Sequence, residues 1–211
     1  MGKDWTGNKT SAHACIGARN YAEEERQVDD FYATDPKAIT ALFNKESFSD
    51  NIWECACGNG ALSEQMEYFG KRVKSTDLVD RGYGMGGVNF LLETKPFKGD
   101  IITNPPYKYA TEFVLKALEL TQNKVAMFLK LTYLEGKDRY KRIFSICPPK
   151  NIYVFVNRVE CYKNDIRADE PNNAICYAWF VWEKGYKDKP KVSWITSNDT
   201  DIEPNQIKFE I

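Results

Sequence analysis

Histidine is almost missing from the 211 residues, with His13 the only one. A hydrolase of the Ser-His-Asp or Cys-His kind needs an imidazole beside its nucleophile, so a single histidine in a polar stretch argues against that chemistry. No Cys-x-x-Cys pair occurs among the six cysteines, Cys15, Cys55, Cys57, Cys147, Cys161 and Cys176. The closest two, Cys55 and Cys57, have no histidine near them in sequence, so no metal site is expected and the cysteines read as reduced, partly buried thiols. No segment approaches the roughly 18 consecutive apolar residues of a membrane span. The opening MGKDWTGNKTSAHACIG also lacks the apolar core of a secretory signal. The chain is therefore read as cytoplasmic, with no membrane partner. A charge surplus is missing as well: 29 Lys and Arg face 30 Asp and Glu. A protein that grips nucleic acid with that balance must concentrate its cations locally. The stretch from Lys130 to Arg142 does so, with five basic residues against two acidic ones, although a solvated helix face explains the run equally well.

What is present is enough for a substantial core, since 43% of residues are hydrophobic. Residues 1–30 are polar, with charge runs at Glu23-Glu24-Glu25-Arg26 and Asp29-Asp30, and read as an N-terminal arm. From 31 to 184 the pattern is that of one domain. Ala38, Ile39, Ala41, Leu42 and Phe43 have helical spacing, as do Leu62, Met66 and Phe69, and again Phe113, Val114, Ala117 and Leu118. Short apolar runs at 52–55, 73–77, 100–103, 125–129, 152–156 and 175–182 read as strands. Such alternation predicts an α/β fold, a doubly wound, mostly parallel sheet covered on both faces. The last two strands are joined by a segment too polar to predict as a crossover helix, so they are expected to pair antiparallel. Residues 185–211, with Val192, Trp194 and Ile195, read as an extension that adds an edge strand or packs on the domain. In sheets of this kind a ligand binds at the carboxyl ends of the strands, where the strand order reverses.

Three motifs fall at predicted strand ends. Glu54-Cys55-Ala56-Cys57-Gly58-Asn59-Gly60 lies between a strand and a helix. Its glycines permit a sharp turn and close approach of a ligand to backbone, and Glu54 is placed to accept hydrogen bonds from a cationic amino group. The turn departs from the dinucleotide fingerprint, because Ser63 stands where a third glycine belongs. Asp77 follows Gly60 by 17 residues, a spacing suited to binding the two hydroxyls of a ribose. The strand at 100–103 runs directly into Asn104-Pro105-Pro106-Tyr107. Two prolines fix the backbone and remove two N–H donors, leaving carbonyls as acceptors. The Asn104 amide oxygen and the Pro105 carbonyl can then accept both hydrogens of an –NH2 group, while Tyr107 offers a flat face for stacking.

In this order the motifs resemble the amino-methyltransferases that depend on S-adenosylmethionine (SAM), and in particular the DNA N6-adenine methyltransferases of phages and prophages with the γ-like motif order. Phe31-Tyr32-Ala33-Thr34-Asp35-Pro36, Thr76-Asp77-Leu78-Val79-Asp80-Arg81-Gly82 and Phe128-Leu129-Lys130-Leu131-Thr132 carry the likeness further, over about 30 to 183. The resemblance implies SAM as cofactor, with S-adenosylhomocysteine as product. It implies a cofactor site formed by Tyr32, Ala33, Thr34, Pro36, Glu54, Ala56, Cys57, Gly58, Gly60, Asp77, Leu78, Asn89, Phe90 and Asn104. The catalytic residues would be Asn104, Pro105, Pro106 and Tyr107, acting on adenine in DNA within a bacterial host cytoplasm. Two departures stand out: Cys55 occupies a position that is commonly proline, and Asn89 one that is often acidic. Asn89 retains the ability to bond the adenine amino group of SAM.

Nucleic-acid contacts are expected from Lys108, Lys130, Lys137, Arg139, Lys141 and Arg142. The segment from Arg158 to Asn173 is a further candidate. Cytosine N4, an RNA base and a protein glutamine amide present the same –NH2 geometry and stay open, as does a non-catalytic SAM-fold binding module. A cytosine C5 mechanism needs a nucleophilic cysteine that typically follows a proline, whereas here the order is Cys147-Pro148. The sequence leaves monomer and homodimer equally open.

Overall fold

The computed structural model describes residues 32–159, 161–163 and 175–197. The expected N-terminal arm and most of the Arg158–Asn173 segment lie outside the described residues, as does 198–211. The elements are β1 (Tyr32–Thr34), α1 (Lys37–Phe43), β2 (Asn51–Glu54), α2 (Ala61–Tyr68), β3 (Arg72–Ser75), β4 (Asp100–Thr103), α3 (Ala110–Leu120) and β5 (Lys124–Lys130). After them come the short α4 (Lys137–Arg139), which continues into a π-helical turn at Tyr140–Phe144, then β6 (Asn151–Phe155), β7 (Cys161–Lys163), β8 (Tyr177–Glu183) and β9 (Lys191–Ile195).

The main sheet has seven strands in the order β3-β2-β4-β5-β8-β6-β9, and β1 pairs with β7 in a separate antiparallel ribbon. The pairs β3–β2, β2–β4, β4–β5 and β6–β9 are parallel, while β8 runs antiparallel to both β5 and β6. The doubly wound, mostly parallel architecture is thus as the sequence implies, including the antiparallel pairing of the late strands. The extension adds the edge strand β9.

Period-two alternation sorts the strand residues onto two cores. Val125, Met127 and Leu129 of β5 join Ala178, Phe180 and Trp182 of β8 on the face covered by Phe113, Val114 and Ala117 of α3. Ala126 and Phe128 join Trp179 and Val181 on the opposite face, under Ala38, Ile39 and Leu42 of α1 and Leu62 and Met66 of α2. Both faces of β5 and β8 are therefore dry, which is why these strands read as continuous apolar runs. Three tryptophans bury their rings, and each satisfies its indole N–H: Trp53 on Thr76 Oγ1 at 2.9 Å, Trp179 on the Ala38 carbonyl at 2.9 Å and Trp182 on the Cys147 carbonyl at 3.0 Å.

β2 and β4 are adjacent, yet the chain leaves β2 for β3 on one side and returns to β4 on the other. That reversal opens a crevice beyond the carboxyl ends of β2 and β4. The start of β4 is pinned by Asp100, whose fully buried carboxylate accepts from Ser49 N (2.5 Å), Asn123 Nδ2 (2.6 Å) and Lys124 N (2.8 Å). With its base fixed this way, β4 delivers Asn104 to the crevice.

Candidate active site

The glycine turn leaves β2 and enters α2 through two left-handed residues, Gly58 (φ 56°) and Gly60 (φ 91°). It is held against the segment after β3 by Cys57 N to Thr76 O at 3.0 Å, and by Gly58 N to Asp77 Oδ2 at 2.8 Å. Asp77 lies two residues beyond β3, and its other oxygen accepts from Val79 N (2.9 Å) and from Arg81 Nη1 (3.1 Å). One carboxylate thus ties the turn to the loop that follows β3. That loop brings Tyr83 onto Gly60, so closely that a Cβ at Gly60 would overlap the tyrosine ring. Gly60→Ala is expected to destabilise the fold by about 1–3 kcal/mol, from backbone strain and from expulsion of the ring. Calorimetric unfolding measures the loss, and Gly60→Ala combined with Tyr83→Ala should regain part of it. If the single variant unfolds like wild type, this close packing is not present.

Glu54 closes β2 with only 2% of its surface exposed. Its Oε2 accepts from Ser63 Oγ, and Ser63 Oγ lies 2.7 Å from Ser75 Oγ. Burial pushes the carboxyl up to about 8, and the Asp77 charge adds to the rise, against the hydrogen bond from Ser63, which lowers it. At neutral pH the group is mostly protonated. A folded value above the unfolded one stabilises the protein at low pH, and that contribution is lost as pH rises from about 4.5 through about 8. Melting temperature should accordingly fall across that window, and Glu54→Gln should flatten the dependence. A wild type and a Gln variant with parallel pH profiles would refute this assignment. Cys57 in the same turn is held up to about 12, by burial and by the Glu54 and Asp77 charges, so it rests as a thiol.

The Asn104-Pro105-Pro106-Tyr107 segment leaves β4 and turns into a 3₁₀ helix at Tyr107–Tyr109, closed by Tyr109 N to Pro106 O at 2.9 Å. Asn104 Nδ2 donates to Thr34 Oγ1 at 2.8 Å. In this arrangement the amide nitrogen faces Thr34, and the next residue in the chain, Pro105, carries a backbone carbonyl as a further acceptor. Thr34 is the last residue of β1, and that ribbon is what carries it to the mouth of β4. The Tyr107 ring stacks on Tyr177 (6.1 Å between centroids, 28° between planes), and Tyr177 stacks in turn on Phe128 (4.9 Å, 19°). The Lys130 ammonium lies over the Tyr107 ring, 4.6 Å from its centroid.

The remaining predicted residues are spread around this centre. Ala33 and Thr34 are buried in β1, Pro36 begins α1 at the surface, and Ala56 is partly buried within the turn. Of Tyr32 only the backbone, paired with Lys163, is described. Leu78 is 62% exposed. Asn89 Oδ1 accepts from Leu91 N at 3.1 Å, capping the 3₁₀ helix Phe90–Leu92. Phe90 packs in the core against Trp53 and Phe113, at 5.2 and 5.1 Å between ring centroids.

The predicted basic residues share the end of the sheet where β4 and β5 finish, and the structure distinguishes among them. Arg142 pairs with Glu112 and Asp138, both at 3.1 Å. Arg139 Nε donates to Tyr133 O at 2.8 Å and its Nη2 to Glu135 O. Lys137 and Lys141 are exposed, and Lys108 sits over the Tyr109 ring at 5.3 Å. Sequence reasoning gave no role to Arg81, Tyr83, Ser63 or Tyr177. The only signal for the first two was their place just after Asp77.

The donor set fits SAM. A left-handed glycine turn, an acid at the end of β2, another just past the adjacent β3 and an amide acceptor after β4 all surround the strand-order switch point. Glu54, the Cys57–Gly60 backbone and Asp77 are the groups that would hold the cofactor there. Among the described residues no cluster of histidine, cysteine and acidic side chains could hold a metal, and no helix is long and apolar enough to cross a membrane.

No family model and no curated protein matches the sequence. Solved structures match its fold. A protein assigned as a class I SAM-dependent methyltransferase from Listeria monocytogenes superposes with a TM-score of 0.53 at 15% identity, over 91% of this chain and 72% of that one. A protein assigned as the modification subunit of a type I restriction enzyme from Vibrio vulnificus gives 0.56 at 11% identity, over 86% of this chain and 49% of that one. One assigned as an O-methyltransferase from Agrobacterium tumefaciens gives 0.50 at 12% identity, over 77% and 85%. At these identities the likeness is one of fold: this chain has the class I SAM-dependent methyltransferase fold.

Proposed function

We propose that the protein is a SAM-dependent methyltransferase that modifies the exocyclic N6 amino group of adenine in DNA. The observation that supports this reading is the Asn104 amide, held by Thr34 at the start of the Asn104-Pro105-Pro106-Tyr107 segment where β4 ends at the switch point. The cofactor, when bound, supplies an electrophilic methyl group. The adenine amino nitrogen is a poor nucleophile because its lone pair is delocalised into the ring. Asn104 Oδ1 and the Pro105 carbonyl accept its two hydrogens, draw the nitrogen towards tetrahedral geometry and localise the pair; one of those protons later leaves to water. Pro106 keeps the two acceptors in fixed relation, and Tyr107 holds the base plane. Positioning of this kind is worth up to about 7–11 kcal/mol in favourable systems. In a duplex the base must first leave the stack, at a few kcal/mol, part of which stacking on Tyr107 returns. Among the predicted cations, Lys137 and Lys141 are exposed and Lys130 lies by the Tyr107 ring, whereas Arg139 and Arg142 spend donors within the protein.

The same acceptors fit cytosine N4, an RNA base or a protein glutamine amide. Purified protein incubated with methyl-labelled SAM and, separately, duplex DNA, single-stranded DNA, RNA and a protein extract distinguishes these substrates. Label in DNA is the expected result. Label confined to RNA or protein would overturn the substrate, and SAM binding without transfer to any of them would indicate a non-catalytic module.

A further inference from the structure

Lys130 lies against the aromatic ring that the proposed substrate must meet. Its ammonium is 4.6 Å from the Tyr107 ring centroid, the distance of a cation–π contact. A base stacked on that face and an ammonium over it exclude one another. The backbone beneath the lysine is fixed: Lys130 ends β5 in register with Tyr177, and Leu131 N donates to Cys176 O at 2.8 Å. Only the side-chain stem is left to move. Tyr107 is backed by the Tyr177–Phe128 stack, so the ring cannot readily turn away from an incoming base. An ammonium driven from an aromatic face needs a new anionic partner to recover what it lost. A nucleotide carries one on the sugar that bears the base, whereas a glutamine amide does not.

We propose that Lys130 is a specificity-determining residue. It holds the face of Tyr107 until a flipped base replaces it, and then pairs with a phosphate flanking that same nucleotide. The inference rests on the nucleic-acid reading above and deepens it. A nucleic acid is favoured over an uncharged protein amide by an exchange of partners at one lysine.

The test uses the full chain and an oligonucleotide with a single target adenine, made either with ordinary phosphates or with methylphosphonates on both sides of that nucleotide. Lys130→Met keeps the stem and removes the charge, and Lys130→Arg keeps the charge. On the ordinary oligonucleotide Lys130→Met should raise KM by about tenfold or more, with a smaller effect on kcat. Its salt dependence should be shallower by roughly one phosphate contact. Lys130→Arg should restore most of the loss. Wild type should suffer a comparable loss on the neutral oligonucleotide, and Lys130→Met should suffer little more there, because lysine and phosphate act as one pair. Losses that simply add, or a Met variant with the wild-type KM, would overturn the proposal while leaving the methyltransferase reading intact. A wild type that transfers methyl to protein but to no nucleic acid would overturn both.

Discussion

Asn104→Ala is expected to lower kcat for methyl transfer by about 10²–10⁴-fold, the range over which a positioned proton-accepting group contributes to catalysis. The loss should fall on the chemical step, because alanine removes the acceptor for one amino hydrogen and frees Thr34 from its 2.8 Å bond to the amide. SAM affinity, set mainly by the glycine turn and the acids beside it, should change by no more than several-fold. Asn104→Asp is the informative companion. A carboxylate keeps an oxygen for the substrate, and the Thr34 hydroxyl can reverse its role and donate to the other oxygen. This variant should retain far more activity than alanine. Single-turnover transfer measured beside calorimetric SAM binding separates the two effects. An alanine variant with wild-type kcat would remove Asn104 from the mechanism. A variant that loses SAM binding and transfer in equal measure would make it a cofactor residue instead.

Asp77→Ala is expected to have the largest effect on the folded state and to abolish measurable SAM binding. The carboxylate accepts from Gly58 N, Val79 N and Arg81, and is 9% exposed. Removing it strands a buried N–H within the glycine turn and takes the acid away from a largely enclosed guanidinium. Breaking a buried charge pair costs about 3–5 kcal/mol. In a domain of this size that corresponds to a fall in Tm of about 6–20 °C. Asp77→Asn, which can still accept from one N–H, should recover part of the stability but not the attraction for Arg81. Differential scanning calorimetry with and without SAM measures both effects. An Asp77→Ala protein that melts within a degree of wild type would show that the acid does not hold this loop.

The strand framework was readable because burial on two faces leaves a periodic trace. β4, β5 and β8 are apolar on both sides, and the helices over them repeat every three or four residues, so type and order follow from hydrophobicity alone. The Asn104–Tyr107 segment was readable because two prolines after a strand have few structural uses. The loop after β3 was opaque. Arg81, Gly82, Tyr83 and Gly84 have no period, and their arrangement depends on Asp77 and on Gly60, the latter a partner that only the folded chain brings near. Glu54 shows a different limit. Its position at a strand end was evident, but its enclosure with Ser63 and the resulting rise to about 8 come from packing of α2 on β3. The basic stretch shows a third. Counting charges from Lys130 to Arg142 cannot reveal that Arg142 is paired with Glu112, 30 residues away, or that Arg139 folds back onto the carbonyls of Tyr133 and Glu135. Nor did the sequence reveal that Lys130 lies over Tyr107, since one ends β5 and the other lies in the 3₁₀ turn that follows the neighbouring strand β4.

The central claim is that Asn104 and Pro105 present an adenine amino group for methylation, and the identity of the product tests it most directly. Unmethylated DNA incubated with the protein and SAM would be digested to nucleosides and analysed by mass spectrometry, with Asn104→Ala treated in parallel. The account predicts N6-methyldeoxyadenosine from the wild type and a reduction of about 10²-fold or more in the variant. Methylated cytosine in its place, or N6-methyldeoxyadenosine that persists undiminished in the variant, would contradict it.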